Sequence, residues 1–200
     1  MRHASCALLL LLLLAIPAVA QRKDDDHGHY YVPLREVEME FRDFTFRTLD
    51  GGPLNLREAA KGKRLVLVHY FAAWCHNSNF DVATVNELYK RYREQGLLVI
   101  GVCEYSKNDE LREFIARHKP EYPICIEGDE KRKDRTGTSH YAYRKQLDDQ
   151  RLWGTPLNIL LTEELRTEGE IAAMRVRAAP GEMIPTEIDD LIQSVIKKKE

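Results

Sequence analysis

The sequence predicts an α/β protein with a central mixed β-sheet flanked by helices. Three observations lead there. Two apolar runs rich in β-formers, 65–71 and 97–102, read as strands buried on both faces. An amphipathic helical pattern lies between them, and a second helix and a third short strand follow, the order that parallel strands with crossover helices produce. The chain has 200 residues, 44% hydrophobic and 31% charged, which suffices for one packed domain and argues against global disorder.

Residues 1–20 read as a secretory signal. Arg2 and His3 give a basic start, 7–19 is apolar and leucine-rich, and Ala18-Val19-Ala20 offers small residues for cleavage. The apolar run is shorter than the ~20 residues a membrane-spanning helix needs, and no second run of that length follows. Cys6 precedes the run, unlike a lipoprotein acceptor. The expected location is extracytoplasmic, periplasmic or secreted, where thiols meet an oxidising pool. Removal of the segment leaves Cys75, Cys103 and Cys125, an odd number, so at least one is free or transiently paired.

Residues 21–40 are expected to form a flexible tail, polar through His29 and carrying Asp24, Asp25 and Asp26 in a row. His27 and His29 form an H-x-H pair, weak evidence for a metal on such a tail. The folded domain is expected over 41–200. Phe41, Phe44 and Phe46 precede a hairpin-type turn, Asp50-Gly51-Gly52. Beyond the first buried strand, Val82, Val85, Leu88, Tyr89 and Tyr92 keep one helix face apolar until Gly96 stops it. Ser106 and Asp109 have capping-box spacing, opening a helix with Leu111, Phe114 and Ile115 inward that ends before Pro120. A third strand is expected at 122–126. Residues 127–135 read as a charged, solvated loop or helix face, and the stretch to Arg151 has helical composition with a poor period. Leu157–Leu161 reads as a strand, and a Glu168-Gly169 turn leads to a partner strand over 171–176. An amphipathic helix carrying Ile188, Leu191, Ile192, Val195 and Ile196 closes the chain, with Thr186 as N-cap.

The chemistry concentrates at 71–78, Phe-Ala-Ala-Trp-Cys-His-Asn-Ser. A buried strand runs into a helix with Cys75 at the junction. There the thiol meets unpaired N–H groups and the positive end of the helix dipole, which favour thiolate over thiol. Thiolate is the nucleophile of disulfide exchange. A buried, inert cysteine is the other reading of a lone thiol.

With Asp43–Gly51, Gly62-Lys63, 70–75 and Trp153-Gly154-Thr155-Pro156 in view, the chain resembles the thioredoxin superfamily, most closely its extracytoplasmic TlpA/ResA-like branch, the redoxin and AhpC/TSA-like group. The resemblance covers about 41–197. It implies a thioredoxin-like fold, with Cys75 as the attacking cysteine, Pro156 as a cis-proline facing it and Thr155 exposing backbone to an extended substrate. It places Asp81 where relatives carry an acidic residue that manages protons; a solvated helix carboxylate is the alternative. Trp74 is expected beside the cysteine, and His76 adds local positive charge or is merely exposed. The family's C-x-x-C motif reads Cys75-His76-Asn77-Ser78 here. Ser78 can donate a hydrogen bond to the Cys75 thiolate but cannot attack a mixed disulfide. Cys103, at the end of the second strand, is a possible resolving cysteine, and Cys125 reads as buried and inert.

The leading functional expectation is monothiol thiol–disulfide exchange through Cys75: reduction of mixed disulfides, or isomerisation. Its partners are a disulfide- or thiol-bearing protein or small thiol and an external thiol reductant. The alternatives are a non-catalytic peptide-binding module and, third, a one-cysteine peroxide reductase, which Ala72 disfavours because peroxiredoxins carry threonine there. The net charge of −2 gives no case for nucleic acid or an anionic membrane. Nucleotide-binding loop, Ser-His-Asp arrangement and metal-ligand cluster are all missing from the pattern, so no cofactor and no metal is expected.

Overall fold

The computed structural model describes residues 23–24, 28–129, 135–162 and 172–197. The expected signal segment, His27 and the Glu168-Gly169 turn lie outside the described residues.

The run at 65–71 forms β6 (Leu65–Phe71), with every residue buried. The helix that follows is α2 (His76–Tyr92), and Gly96 at φ 100° ends the short turn beyond it. The next strand is longer than expected, β7 (Leu97–Ser106), again buried throughout. After α3 (Asn108–His118) comes β8 (Ile124–Asp129). β6, β7 and β8 run parallel, as the strand–helix alternation predicts. The chain continues through α4 (Ser139–Gln146), β9 (Leu157–Leu161), β10 (Ala172–Ala179), β11 (Glu182–Met183) and α5 (Pro185–Lys197). β9 pairs antiparallel with β6, and β10 antiparallel with β9, which makes the sheet mixed.

Ahead of this core, β1 (Lys23–Asp24), β2 (Tyr30–Val32), β3 (Arg35–Phe41), β4 (Thr45–Thr48), β5 (Pro53–Asn55) and α1 (Leu56–Ala60) complete the order. The main sheet runs β3-β10-β9-β6-β7-β8-β4-β5, and β1-β2-β11 form a small second sheet. β3 pairs with β10 over seven residues and buries Met39 and Phe41. The expectation of a tail up to residue 40 is therefore corrected: Val37, Met39 and Phe41 alternate with charged residues, a period-2 pattern for an edge strand with one buried face.

Alternation along β6 divides the core. Val66, Val68 and Tyr70 pack on one face with Tyr143 and Leu147 of the α4 region. Leu65 and Leu67 pack on the other with Val85 and Leu88 of α2 and Ile188 and Ile192 of α5. Each such side chain contributes about 1.5–3 kcal/mol by leaving water. Two capping expectations shift. Lys107, not Ser106, precedes α3, and its N–H donates to Glu110 Oε2 (2.9 Å). α5 opens at Pro185, a residue suited to the first helical position, with Thr186 already inside.

Glu104 of β7 is fully buried on the α4 side, with the Glu127 carboxyl as its neighbour. Burial, then the neighbouring Glu127, pushes its carboxyl well above the usual range. The folded state thus holds the proton more tightly than the unfolded chain. The stability this confers is complete below about pH 4, the unfolded value, and is lost as pH rises toward the folded one. Glu104→Gln removes that titration. We expect it to raise stability more at pH 8 than at pH 5, by about 1 kcal/mol for each pH unit over which the wild-type carboxyl is ionised unfolded but protonated folded, read by thermal unfolding at both pH values.

Candidate active site

Cys75 is the N-cap residue of α2, in extended backbone (φ −79°, ψ 125°), and is partly exposed. Its N–H donates to Ala72 O (3.0 Å), which turns the chain from β6 into the helix. Asn79 fixes the same turn from within α2, its Nδ2 donating to Ala73 O and Cys75 O (both 2.8 Å). The Cys75 thiol donates to Thr155 O across the site (3.4 Å). The Thr155–Pro156 bond is cis. Cys75, Thr155 and Pro156, singled out from sequence, therefore lie together.

The walls come from β7 and the segment before β9. Trp74 is 36% exposed, donates from Nε1 to Tyr105 O (3.0 Å) and meets Trp153 edge-on at 5.6 Å. Ala73 N–H donates to Ser106 Oγ (2.9 Å), and Ser106 Oγ donates to Glu104 O (2.9 Å). Ser106 thus anchors the turn that carries Cys75 instead of capping α3. The Tyr105 hydroxyl bonds His140 Nδ1 (2.9 Å), and His140 Nε2 reaches Gly154 O (3.3 Å). Burial, followed by the charge of Arg144, lowers His140 to about 3. The neutral ring then accepts from Tyr105 and donates to Gly154.

Ser78 is fully buried, and its Oγ accepts the Ala72 N–H (3.3 Å). That bond uses a lone pair of Oγ and not the hydroxyl proton. Asp81 is also buried, so the solvated-carboxylate reading is set aside. It accepts from Met183 N–H (2.9 Å) and Asn158 Nδ2 (2.7 Å). Burial raises its pKa to about 7, against the lowering effect of those two bonds. His69 pairs with Asn158 in the β6–β9 register, and Nδ1 lies 2.8 Å from Asn158 Oδ1. Burial lowers His69 to about 4, so it is neutral at pH 7 and donates there. Glu182, fully buried in β11, accepts from Asn77 Nδ2 (2.6 Å) and lies 3.3 Å from His29 Nδ1.

His29, assigned to the tail from sequence, instead stacks on Phe80 (3.4 Å between ring centroids) and on the exposed His76 (5.4 Å). Cys103 is buried beside Phe114 and Leu111, and burial pushes its thiol up to about 12. Cys125 is buried in the core cluster on the other face of β6. Sequence reasoning passed over His69, Asn158, Glu182, Arg151 and Glu104. The signal for the first two was present: each is a polar residue inside a run of buried strand residues. Among the described residues no group of three or more His, Cys, Asp or Glu could hold a metal.

Residues 37–150 match the AhpC/TSA family model. The chain belongs to the AhpC/TSA family. Its thioredoxin fold is similar to that of a secreted thiol-disulfide isomerase from Corynebacterium glutamicum (TM-score 0.59, 14% identity, covering 94% of this chain and 98% of that one). Among curated proteins, this AhpC/TSA-family chain is 25% identical over 92 residues to the thiol-disulfide oxidoreductase ResA of Bacillus thuringiensis subsp. konkukian, covering 46% of this chain and 52% of ResA. It is 32% identical over 90 residues to a Citrus sinensis protein named "Probable phospholipid hydroperoxide glutathione peroxidase", covering 41% and 53%. The chain spans about half the length of the curated relatives it matches.

Proposed function

We propose that this protein exchanges thiols and disulfides through Cys75 alone, outside the cytoplasm. The observation that carries the reading is the partly exposed Cys75 thiol at the head of a 17-residue helix, opposite Thr155, with serine in place of a second cysteine one turn on. The Cys75 thiolate attacks one sulfur of a substrate disulfide. A new S–S bond joins Cys75 to that sulfur, and the other substrate sulfur leaves as thiolate. An external thiolate then attacks the mixed disulfide, takes the substrate sulfur into a new disulfide and returns Cys75 as thiolate. Electrons balance between the two outside partners, a protein or small-molecule disulfide and a thiol reductant.

Cys103 is poorly suited to resolve the intermediate, because burial keeps it as thiol. Asp81, with a pKa near neutral, suits proton exchange at the site if solvent reaches it during turnover. The extracytoplasmic location rests on the signal-like pattern of 1–20. Among the described residues no helix is long and apolar enough to cross a membrane.

A peptide-binding module without turnover is the second reading, favoured by exposed Trp74 and Leu152 near the site. Ser78→Cys separates them. Residues i and i+3 on a helix are neighbours, ~5–6 Å apart at Cβ. The variant is therefore expected to resolve its own mixed disulfide and reduce a peptide disulfide stoichiometrically without added thiol. Free product measured by mass spectrometry checks it, and an unreactive Cys75 in both proteins favours the binding module.

A further inference from the structure

The guanidinium of Arg151 spans the loop that faces Cys75. Its Nη2 donates to Gly154 O (2.9 Å) and Pro156 O (3.1 Å), and its Nη1 to Thr155 O (3.4 Å). Asp149 holds it from behind, Oδ1 accepting from Nε (2.9 Å) and Oδ2 from Nη2 (2.8 Å). Arg144 ties the far side, its Nε donating to Asp149 Oδ2 (2.9 Å) and its Nη2 to Arg151 O. The Tyr30 ring lies 6.0 Å from the Arg151 guanidinium carbon. The Thr155 carbonyl therefore takes two donors at once, the Arg151 cation and the Cys75 thiol.

We propose that Arg151 is a positioning residue for Cys75, holding the Thr155 carbonyl in place and offsetting its negative end when the thiol ionises. The physical need is specific. Loss of the Cys75 proton removes the S–H···O bond and leaves a thiolate facing a carbonyl oxygen, an unfavourable pair of acceptors. A guanidinium bound to that same oxygen, with three consecutive carbonyls as its fixed seat, counters the repulsion. Arginine suits this because its planar fork reaches several acceptors while staying charged.

Other charged or titratable groups also surround the turn. His76 lies beside Cys75 in α2 with Asp81 further along it, His29 precedes β2, Glu182 comes from β11, Cys103 and Glu104 from β7, and His140, Arg144 and Asp149 from α4 and the segment after it. Arg151 is the charged group that hydrogen-bonds the carbonyl accepting the thiol.

This inference rests on the reading of Cys75 as the reactive thiol. The test is the pH profile of Cys75 alkylation by iodoacetamide, located by peptide mapping, in the wild type, Arg151→Met and Arg151→Lys. Removing the cation should move the midpoint upward and slow alkylation at pH 7 about three- to tenfold, while the high-pH plateau is unchanged. Arg151→Lys, which keeps the charge, should stay near the wild-type midpoint. A midpoint in Arg151→Met equal to wild type overturns the proposal, even if the plateau falls. Should Arg151→Met not fold, Arg151→Gln makes the same comparison with one amide donor and no charge. Failure of the exchange reading shows separately, as a wild-type Cys75 that is not alkylated without denaturant.

Discussion

Cys75→Ser is expected to lower thiol–disulfide exchange by roughly three orders of magnitude or more, because the hydroxyl that replaces the thiol is not ionised near neutral pH. The fold should survive the change. Serine is a good N-cap residue, and the backbone bonds of Cys75 to Ala72 and Asn79 do not involve the sulfur. Equal Tm in the variant and wild type, with exchange lost, would locate the chemistry at this atom. Cys125→Ala, on the far side of the sheet, supplies the control and should leave exchange unchanged. Peptide affinity retained by Cys75→Ser would show that the groove around Trp74 and Thr155 binds independently of the thiol.

Gly154→Ala is expected to be the most damaging small substitution near the site. Gly154 has φ +65°, where a side chain is strained, and an added Cβ would overlap the Arg144 guanidinium. Arg144 is 3% exposed and bound to Asp149, so it has little room to withdraw. Strain and displacement each cost on the order of 1–3 kcal/mol, together about 3 kcal/mol or ~6–12 °C in Tm. Exchange should fall as well, since Arg144, Asp149 and Arg151 jointly seat the carbonyls opposite Cys75. Thermal unfolding and exchange rate, measured on the same preparation, check both effects.

Much of this architecture was legible in the sequence because the central elements obey local rules. The β6 and β7 runs are apolar throughout, as strands covered on both faces must be. The α2 and α5 faces keep the helical period, and the Cys75 junction follows from where strand meets helix. The parts that were misread depend on non-local pairing. β3 looks like a charged tail until β10 lies beside it. Ser106 has the sequence position of a helix cap, yet its hydroxyl is taken by Ala73, thirty-three residues earlier. His29 becomes a neighbour of His76 only because β2 pairs with β11. The Arg144–Asp149–Arg151 seat sits in a stretch with no clear periodicity, and its purpose appears only when the three carbonyls converge. Asn158 and His69 were visible as polar residues in apolar strands, but their partnership needed the antiparallel register of β6 and β9.

The most direct test of the monothiol account is intact-mass analysis of the reduced protein after an excess of glutathione disulfide, desalted to remove the glutathione released in the exchange and quenched in acid without reductant. The account predicts a single glutathionyl adduct on Cys75 that persists until an external thiol is added. A protein that sheds the adduct by itself and shows a Cys75–Cys103 disulfide, or one that forms no adduct, would contradict it.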